Sequence, residues 1–447
     1  MGLVRWKSVE LAGWGRVRRA RSMAARAERI SDLAAAMAED HAGGISIYGS
    51  GRSYGDSALN AHGHSCLTGR LNRILGFDET SGIVEVEPGV TFRQLMDVFL
   101  PKGWLVPVTP GTGFATIAGA VAHDVHGKNH ERDGSFGQHV TEIDLLTPDG
   151  ALRTLGPRSR PAWFRATCGG CGLTGIITRI AFRMRRVPGG YVKVTKRRLD
   201  NLEAFLEAFE IAKDTSYSVG WIDAVATGHD LGRGILETAE PAVDTRPVTR
   251  RKQERAVPFE LPLSLVNPAS VKAFNALYFH SASKEGSIAL KPYSSFLYPL
   301  DAIGGWNRIY GKRGFHQFQC VVPYTNGDVA LRRLLEAISS CGAPSFLTVL
   351  KRLGTGRAGY LSFPMEGYTL AVDFPNNPTT ESLYRVLVHL TLDHGGRVYL
   401  AKDALLWPEA FAQMYPELDE FRQVIEELDP SARLQSDMAR RLQVRAC

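Results

Sequence analysis

Apolar and polar positions along this chain switch repeatedly between a period of two and a helical period of about 3.6, the mark of mixed strands and helices. Met23, Ile30, Leu33 and Met37 recur at helical spacing among charged neighbours, so residues 23–40 read as an amphipathic helix. Ile45-Ser46-Ile47-Tyr48 reads as a short strand running straight into a glycine turn from Gly49 to Asp56. Ile83 to Glu87 alternates cleanly as a strand, and Thr91 stands where it would cap a helix carrying Phe92, Leu95, Val98 and Phe99. Trp104-Leu105-Val106 leads into a long glycine-rich stretch. Glu142 to Leu146, followed by Asp149-Gly150, carries the signal of a hairpin. A further strand pattern fills Ile176 to Arg186, and Pro188-Gly189-Gly190 marks a domain boundary after it.

The second half mixes a helix over Leu202 to Ala212 with strands at Gln317 to Val322 and Tyr368 to Phe374. Residues 238–262 are rich in Pro, Arg, Lys and Glu without periodicity and read as a mobile surface loop. Gly395 to Asp403 reads as a strand and turn. A last helix places Leu418, Phe421, Ile425 and Leu428 on one face.

Length and charge narrow the picture. At 447 residues the chain has room for two domains or more. No apolar run approaches the roughly 18 residues of a membrane-spanning helix, and the first 30 residues lack the apolar core of a signal peptide. A cytoplasmic protein, or one peripheral at a membrane, is expected. The net charge is +7. Arg5, Arg16, Arg18, Arg19 and Arg21 cluster near the start, read as a solvated helix face, with an anionic membrane surface as the alternative. No nucleic-acid-binding motif is present, so that partner is not expected. Of the six cysteines, Cys66, Cys320, Cys341 and Cys447 are scattered as free thiols would be, while Cys168-Gly-Gly-Cys171 alone has a recognisable spacing. It sits in a glycine-rich segment where backbone shape explains it better than a redox pair or a metal site.

The densest chemistry lies between Pro107 and Gly137. Small residues there leave main-chain N–H groups free to face an anion, and His123, Asp124, His126, Lys128, Asn129 and His130 follow as a polar end. Gly127 argues against a helix that would set His123, His126 and His130 around a metal, so no metal is expected. Gly49-x-Gly51 fails the dinucleotide fingerprint, because the next glycine is Gly55. Two glycine-rich loops about 60 residues apart fit one long ligand gripped from two sides. Lys402, by its own sequence context, is an ordinary lysine after a strand.

Taken together these stretches resemble the vanillyl-alcohol-oxidase family of flavoproteins, with its PCMH-type FAD-binding domain. The matching pieces are Gly49 to Asp56, Glu87-Pro88-Gly89-Val90, Pro110-Gly111-Thr112 and Thr116-Ile117-Ala118-Gly119. His126 to His130, Gly134 to Gly137, Phe296 to Asp301, Trp306-Asn307-Arg308, Val372 to Pro375, Ala401-Lys402-Asp403 and Ser436 to Leu442 are similar to the branch that oxidises polyprenyl-phosphoryl pentoses. The resemblance implies an α+β fold: a two-subdomain FAD-binding domain over 1–190, a substrate domain built on an antiparallel sheet with flanking helices over 191–396, and a segment 397–447 returning to the first. It implies FAD contacts from Ile47, Tyr48, Gly49, Ser50, Gly51, Arg52, Ser53, Tyr54, Gly55, Asp56 and Ser57. Further FAD contacts would come from Gly111, Thr116, Ile117, Ala118, Gly119, His123, Asp124, Val125, His126, Ile177 and Tyr399. Lys402, Tyr54 and His126 would be catalytic, and Gln319, Lys351, Thr369 and Lys402 would face the substrate.

The implied reaction passes hydride from a sugar secondary hydroxyl to flavin N5, giving a ketone. In the branch this is the 2′-hydroxyl of a decaprenylphosphoryl-ribose type substrate, the first half of an epimerisation to arabinose, with a short-chain reductase as partner and peripheral membrane contact. A free sugar, alditol or sugar lactone is the alternative substrate, and a flavin-free scaffold or lipid-binding subunit the alternative of another class. Arg52 stands where many relatives carry a flavin-linking histidine, so FAD is expected to be non-covalent. The family's active-site cysteine is Ala371 here, and an asparagine two residues earlier is Thr369.

Overall fold

Three main sheets organise the chain, an α+β architecture, in a computed structural model that describes residues 4–244, 246, 255–259, 266–342 and 345–445. The first sheet has four strands in the order Lys7–Ala12, Arg19–Arg26, His64–Leu67 and Ile45–Tyr48, antiparallel at the first pair and parallel beyond it. The second has five antiparallel strands, Ile74–Asp78, Ile83–Val86, Ile176–Arg183, Val140–Leu146 and Leu152–Leu155. The third is an eight-stranded antiparallel sheet in the order Ser287–Pro292, Tyr191–Leu199, Gly234–Ala242, Tyr217–Ile222, Thr348–Leu353, Gly367–Pro375, Phe315–Val322 and Arg397–Val398.

Side chains alternate across a strand, and the third sheet uses both faces. Phe318, Cys320, Val322, Leu350, Leu370, Val372 and Phe374 point to one side, where the helices Leu202–Ile211, Gly327–Ser340 and Pro378–Asp393 bury Phe205, Leu331, Leu334 and Leu387 against them. The opposite face carries Gln317, Gln319, Val349, Lys351, Thr369, Ala371 and Asp373, and it forms the floor of a large cavity.

Several expected elements are in place. Thr91 caps the helix Phe92–Phe99 by accepting from the Gln94 N–H at 3.3 Å, while Gln94 Oε1 accepts from the Thr91 N–H at 2.8 Å. Met96 is buried where Val98 had been expected to pack, and Val98 is exposed. The last helix, Leu418–Leu428, buries Leu418, Phe421, Ile425 and Leu428.

Residues 23–40 are not one helix. Arg19–Arg26 is a strand and the helix is Ile30–Ala38. Ala20, Ser22 and Ala24 turn inward while Arg19, Arg21 and Met23 turn out, a period of two that small inward residues conceal in a hydrophobicity pattern. Pairing on both edges then decides the conformation. The basic segment is therefore not a helix face. Arg16 donates to the carbonyls of Asn307 and Gly311, both at 2.9 Å, and Arg18 to that of Ala404 at 3.4 Å.

The expected loop at 238–262 begins inside the strand Gly234–Ala242, and 255–256 bridges Ile303–Gly304; residues 245, 247–254 and 260–262 lie outside the described residues, as does Cys447. Cys66, Cys168, Cys171 and Cys320 are free thiols. Gly169, Cys171 and Gly172 all adopt left-handed φ values (79°, 54° and 79°), so this segment carries a backbone shape. Arg397–Val398 still pairs within the third sheet. Beyond it the chain returns to the glycine turn: Leu434 bridges Ile45, and Arg441 pairs with Asp56. Among the described residues no helix is long and apolar enough to cross a membrane.

Candidate active site

The cavity holds about 1000 Å³, at the upper end of the roughly 300–1000 Å³ of ligand sites. Its floor is the open face of the third sheet, where Gln319, Ala371 and Val349 lie side by side in register. Its walls are the turn from Ile47 to Gly55 and the loop from Thr109 to Gly119. The turn's glycines are required. A Cβ on Gly49 would lie 2.7 Å from Thr116 Oγ1, and one on Gly55 would lie 1.7 Å from the Asp403 carbonyl oxygen. Gly111 is different: it has no heavy atom within 4 Å of a built Cβ, so its bare backbone faces open cavity. That is how a chain presents main-chain donors to an anionic ligand.

One end of the floor concentrates the ionisable groups. Lys402 Nζ sits 3.6 Å from the centre of the Tyr54 ring. Tyr54 is fixed by its N–H donating to the Ala401 carbonyl at 2.8 Å. Gln317 Nε2 donates to Asp373 Oδ1 at 2.5 Å, while the other carboxylate oxygen is buried without a hydrogen-bond partner. Burial lowers the proton affinity of Lys402, with Asp373 opposing and Lys351 reinforcing that shift. Burial likewise raises Asp373, and it raises Tyr54 well above an ordinary phenol with Asp373 adding to it. Tyr54 is thus a neutral donor.

His126 lies between. Its Nε2 is 3.0 Å from Gln319 Nε2, whose amide also donates to Thr369 Oγ1 at 3.2 Å. Burial, then Lys351, His130 and Lys402, hold His126 well below the usual imidazole range, so it is neutral. Its ring rests on Phe363 and Tyr399, each 5.2 Å away. His123 reaches Ser53 Oγ at 3.1 Å and is pushed down by burial to about 4. Arg52 is clamped between the rings of Trp14 at 4.2 Å and Phe114 at 4.9 Å, with its Nε buried and without a hydrogen-bond partner. An aromatic outer wall continues through Trp221, Tyr278, Phe274 and Phe346, with ring separations of 4.8, 5.9 and 5.8 Å.

Most residues singled out in the sequence line this cavity: all from Ile47 to Gly55, then Ser57, Gly111, Thr116, Ala118, Gly119, His123, Val125, His126, Ile177, Gln319, Lys351, Tyr399 and Lys402. Four do not. Asp56 turns away to Arg441, at 2.6 and 2.9 Å. Ile117 is wholly buried in the core beneath its helix. Asp124 is a structural knot, accepting from the Gly137 N–H at 2.9 Å, the Ala358 N–H at 3.0 Å and Ser362 Oγ at 2.5 Å. Thr369 is buried and reaches the cavity only through Gln319. Sequence reasoning missed Trp14, Phe114, Trp221, Phe346 and Lys291 on the walls, and Gln317 and Asp373 beneath Lys402. The last two had a signal, standing two residues from Gln319 and Ala371 on the same faces of paired strands.

Comparison with known proteins places this geometry. Residues 22–156 match the family model described as FAD binding domain, and residues 312–442 the one described as D-arabinono-1,4-lactone oxidase. The chain is 37% identical over 422 residues to the decaprenylphosphoryl-beta-D-ribose oxidase of Mycolicibacterium smegmatis, covering 91% of each. It is 22% identical over 406 residues to the L-gulono-1,4-lactone dehydrogenase of Mycobacterium tuberculosis, covering 89% of this chain and 90% of that one. L-gulonolactone oxidase 5 of Arabidopsis thaliana is 22% identical over 417 residues, covering 82% and 70%. The chain belongs to the decaprenylphosphoryl-β-D-ribose oxidase family of PCMH-type flavoproteins, and it is an FAD-dependent oxidoreductase.

Proposed function

We propose that this enzyme oxidises a secondary hydroxyl of a polyprenyl-phosphoryl pentose, of the decaprenylphosphoryl-ribose type, to a ketone. The product is then the first half of an epimerisation to the arabino sugar, which a partner reductase would complete. The observation that carries the reading is the half-buried amine of Lys402, held over Tyr54 on a polar floor that opens past an aromatic wall. Phe274 and Ile303 line the cavity and are also 46% and 47% exposed, and Leu277 on the same helix as Phe274 is 76% exposed. A rim of this kind suits an apolar tail and peripheral contact with a lipid surface.

Bound FAD supplies the acceptor for the hydride that leaves the carbinol carbon. The glycine turn and Gly111 would hold its phosphates through backbone N–H groups, with Tyr399 and Ile177 against the rest of the molecule. The chain's own residues handle the proton. Lys402, its proton affinity lowered by burial, accepts the hydroxyl proton as an amine. The ammonium so formed is supported by the Asp373 carboxylate, which opposes the loss of its proton. Tyr54 donates a hydrogen bond that orients the substrate, and Gln319 with neutral His126 fixes the sugar's other side.

Anaerobic reduction of the flavin tests the substrate. Farnesylphosphoryl-ribose should bleach the yellow absorbance faster than ribose or an aldonolactone. Equal or faster bleaching by the lactone would favour the reading of which residues 312–442 carry a trace, a lactone oxidase. The cofactor should also be non-covalent, because the Arg52 guanidinium occupies the place between Trp14 and Phe114 and offers no nucleophile. Acid precipitation should leave all the FAD in the supernatant. Yellow colour retained in the denatured pellet contradicts this.

A further inference from the structure

Four lysines line the one cavity: Lys402, Lys351, Lys128 and Lys291. Among the described residues the carboxylates that act on this series are Asp373 and Glu237. Asp373 accompanies Lys402, and Glu237 is taken by Lys291 at 3.0 Å. The strand register keeps Lys351 apart from Asp373, and the Glu237 that acts on Lys128 is already held by Lys291. Lys351 pairs with Thr369, four residues along the strand from Asp373, which is about 13 Å of extended chain. Among the described residues no hydrogen bond or ion pair holds Lys351 Nζ. Lys128 donates one hydrogen bond to the Phe296 carbonyl at 2.5 Å and lies 4.1 Å over the Phe296 ring, leaving donors of its ammonium unused. Cations taken out of water need a partner; among the described residues Lys351 Nζ has none, and Lys128 has the Phe296 carbonyl and a share in a Glu237 already held by Lys291.

We propose that Lys128 and Lys351 form the subsite for the phosphodiester of the substrate, adjoining the sugar that lies over Ala371 and Val349. This rests on the phosphoryl-pentose reading above and gives it an address. A pentose whose hydroxyl meets Lys402 and Tyr54 at one end of the floor directs its anomeric substituent towards the row of Lys351. The aromatic wall of Trp221 and Tyr278 begins beside that row and continues outward. A lactone would leave both lysines without a counter-charge. Burial has lowered each to about 8, and each cation disfavours its neighbours, so an arriving anion strengthens both.

The test is calorimetric binding to the FAD-loaded protein, with farnesyl phosphate, farnesol and inorganic phosphate as probes. Farnesyl phosphate should bind wild type, and Lys128→Met and Lys351→Met should each weaken it about 10- to 100-fold, the value of one charge-assisted hydrogen bond. Farnesol should bind all three proteins alike, and Lys351→Arg should retain most of the affinity. Weak binding of inorganic phosphate lost in the same variants places the anion site itself. Retention of phosphate binding in those variants overturns the proposal. So does unchanged farnesyl phosphate affinity in correctly melting variants.

Affinity should be full at pH 7 and fall as pH rises through about 8, because the cations are lost there. The groups facing Lys351 are Lys128, His126, His130 and Lys402, and those facing Lys128 are Glu237, Lys291 and Lys351. The histidines stay neutral throughout, and repeating the profile in Lys402→Met separates that lysine's titration. A flat profile counts against the subsite. Equal flavin reduction by free ribose, with the lysine variants still losing farnesyl phosphate, would sink the substrate reading and leave the anion site standing.

Discussion

Lys402→Met should purify yellow and folded, yet its flavin should be reduced by substrate on the order of 10²- to 10³-fold more slowly than in wild type, within the usual contribution of a positioned proton acceptor. The amine is half-buried in the cavity lining, over the Tyr54 ring at 3.6 Å, and methionine fills similar space without a proton acceptor. A chemical role makes a second, sharper demand. Because burial lowers its proton affinity, the reduction rate in wild type should rise with pH as Lys402 loses its proton. That limb should vanish in the variant. Asp373→Asn should move the limb to lower pH, since the carboxylate opposes deprotonation, whereas a merely structural Asp373 would alter melting temperature alone. Stopped-flow reduction under anaerobic conditions reads all of this. Near-normal reduction by Lys402→Met removes it from catalysis, and a colourless protein makes it a cofactor-binding residue.

Arg441→Met should cost about 3–5 kcal/mol of stability, the penalty for stranding buried charge. Arg441 holds Asp56 with two hydrogen bonds, at 2.6 and 2.9 Å, and Asp403 at 2.9 Å, where the three side chains are 19%, 4% and 0% exposed. Asp403 also accepts from the Tyr384 hydroxyl at 2.8 Å and from the N–H groups of Leu405 and Leu406. One guanidinium thus joins the end of the chain, the glycine turn and the residue after Lys402. Burial acts to raise the Asp403 carboxyl, but Arg441 and the backbone donors outweigh it and hold it below the ordinary range. In wild type that contribution is therefore present above the unfolded carboxyl's titration and fades as pH falls. In the variant the carboxyls are abandoned, so the deficit should shrink on acidification as they protonate. Denaturant unfolding at saturating FAD, at neutral and mildly acidic pH, measures both. Wild-type stability in Arg441→Met would show the network to be idle.

The sequence by itself determined the glycine loops, strands such as Ile45–Tyr48, Ile83–Val86 and Phe315–Val322, and the Thr91-capped helix, because these follow from local rules. Gly51 takes a left-handed φ of 64°, and Thr91 with Gln94 makes a cap from residues three apart. The resemblance in its motifs also points to Lys402, which nothing in its own neighbourhood marks, and to Tyr54 within the glycine turn. Only the tertiary structure decided which residues of those motifs face inward. Asp56 and Asp124 sit inside ligand-like motifs, yet they spend their carboxylates on Arg441 and on the Gly137 and Ala358 amides. Their partners lie hundreds of residues away or across a turn, and no local period encodes such a choice. The same holds for Arg19 to Arg26, whose strand exists because two neighbours pair with it. It holds for the cavity as well. The row of Lys351, the bare place at Ala371, the carboxylate of Asp373 and the amide of Gln319 become one floor only when three strands align in register, since hydrogen-bonded pairing and not sequence spacing fixes which side chains stand together.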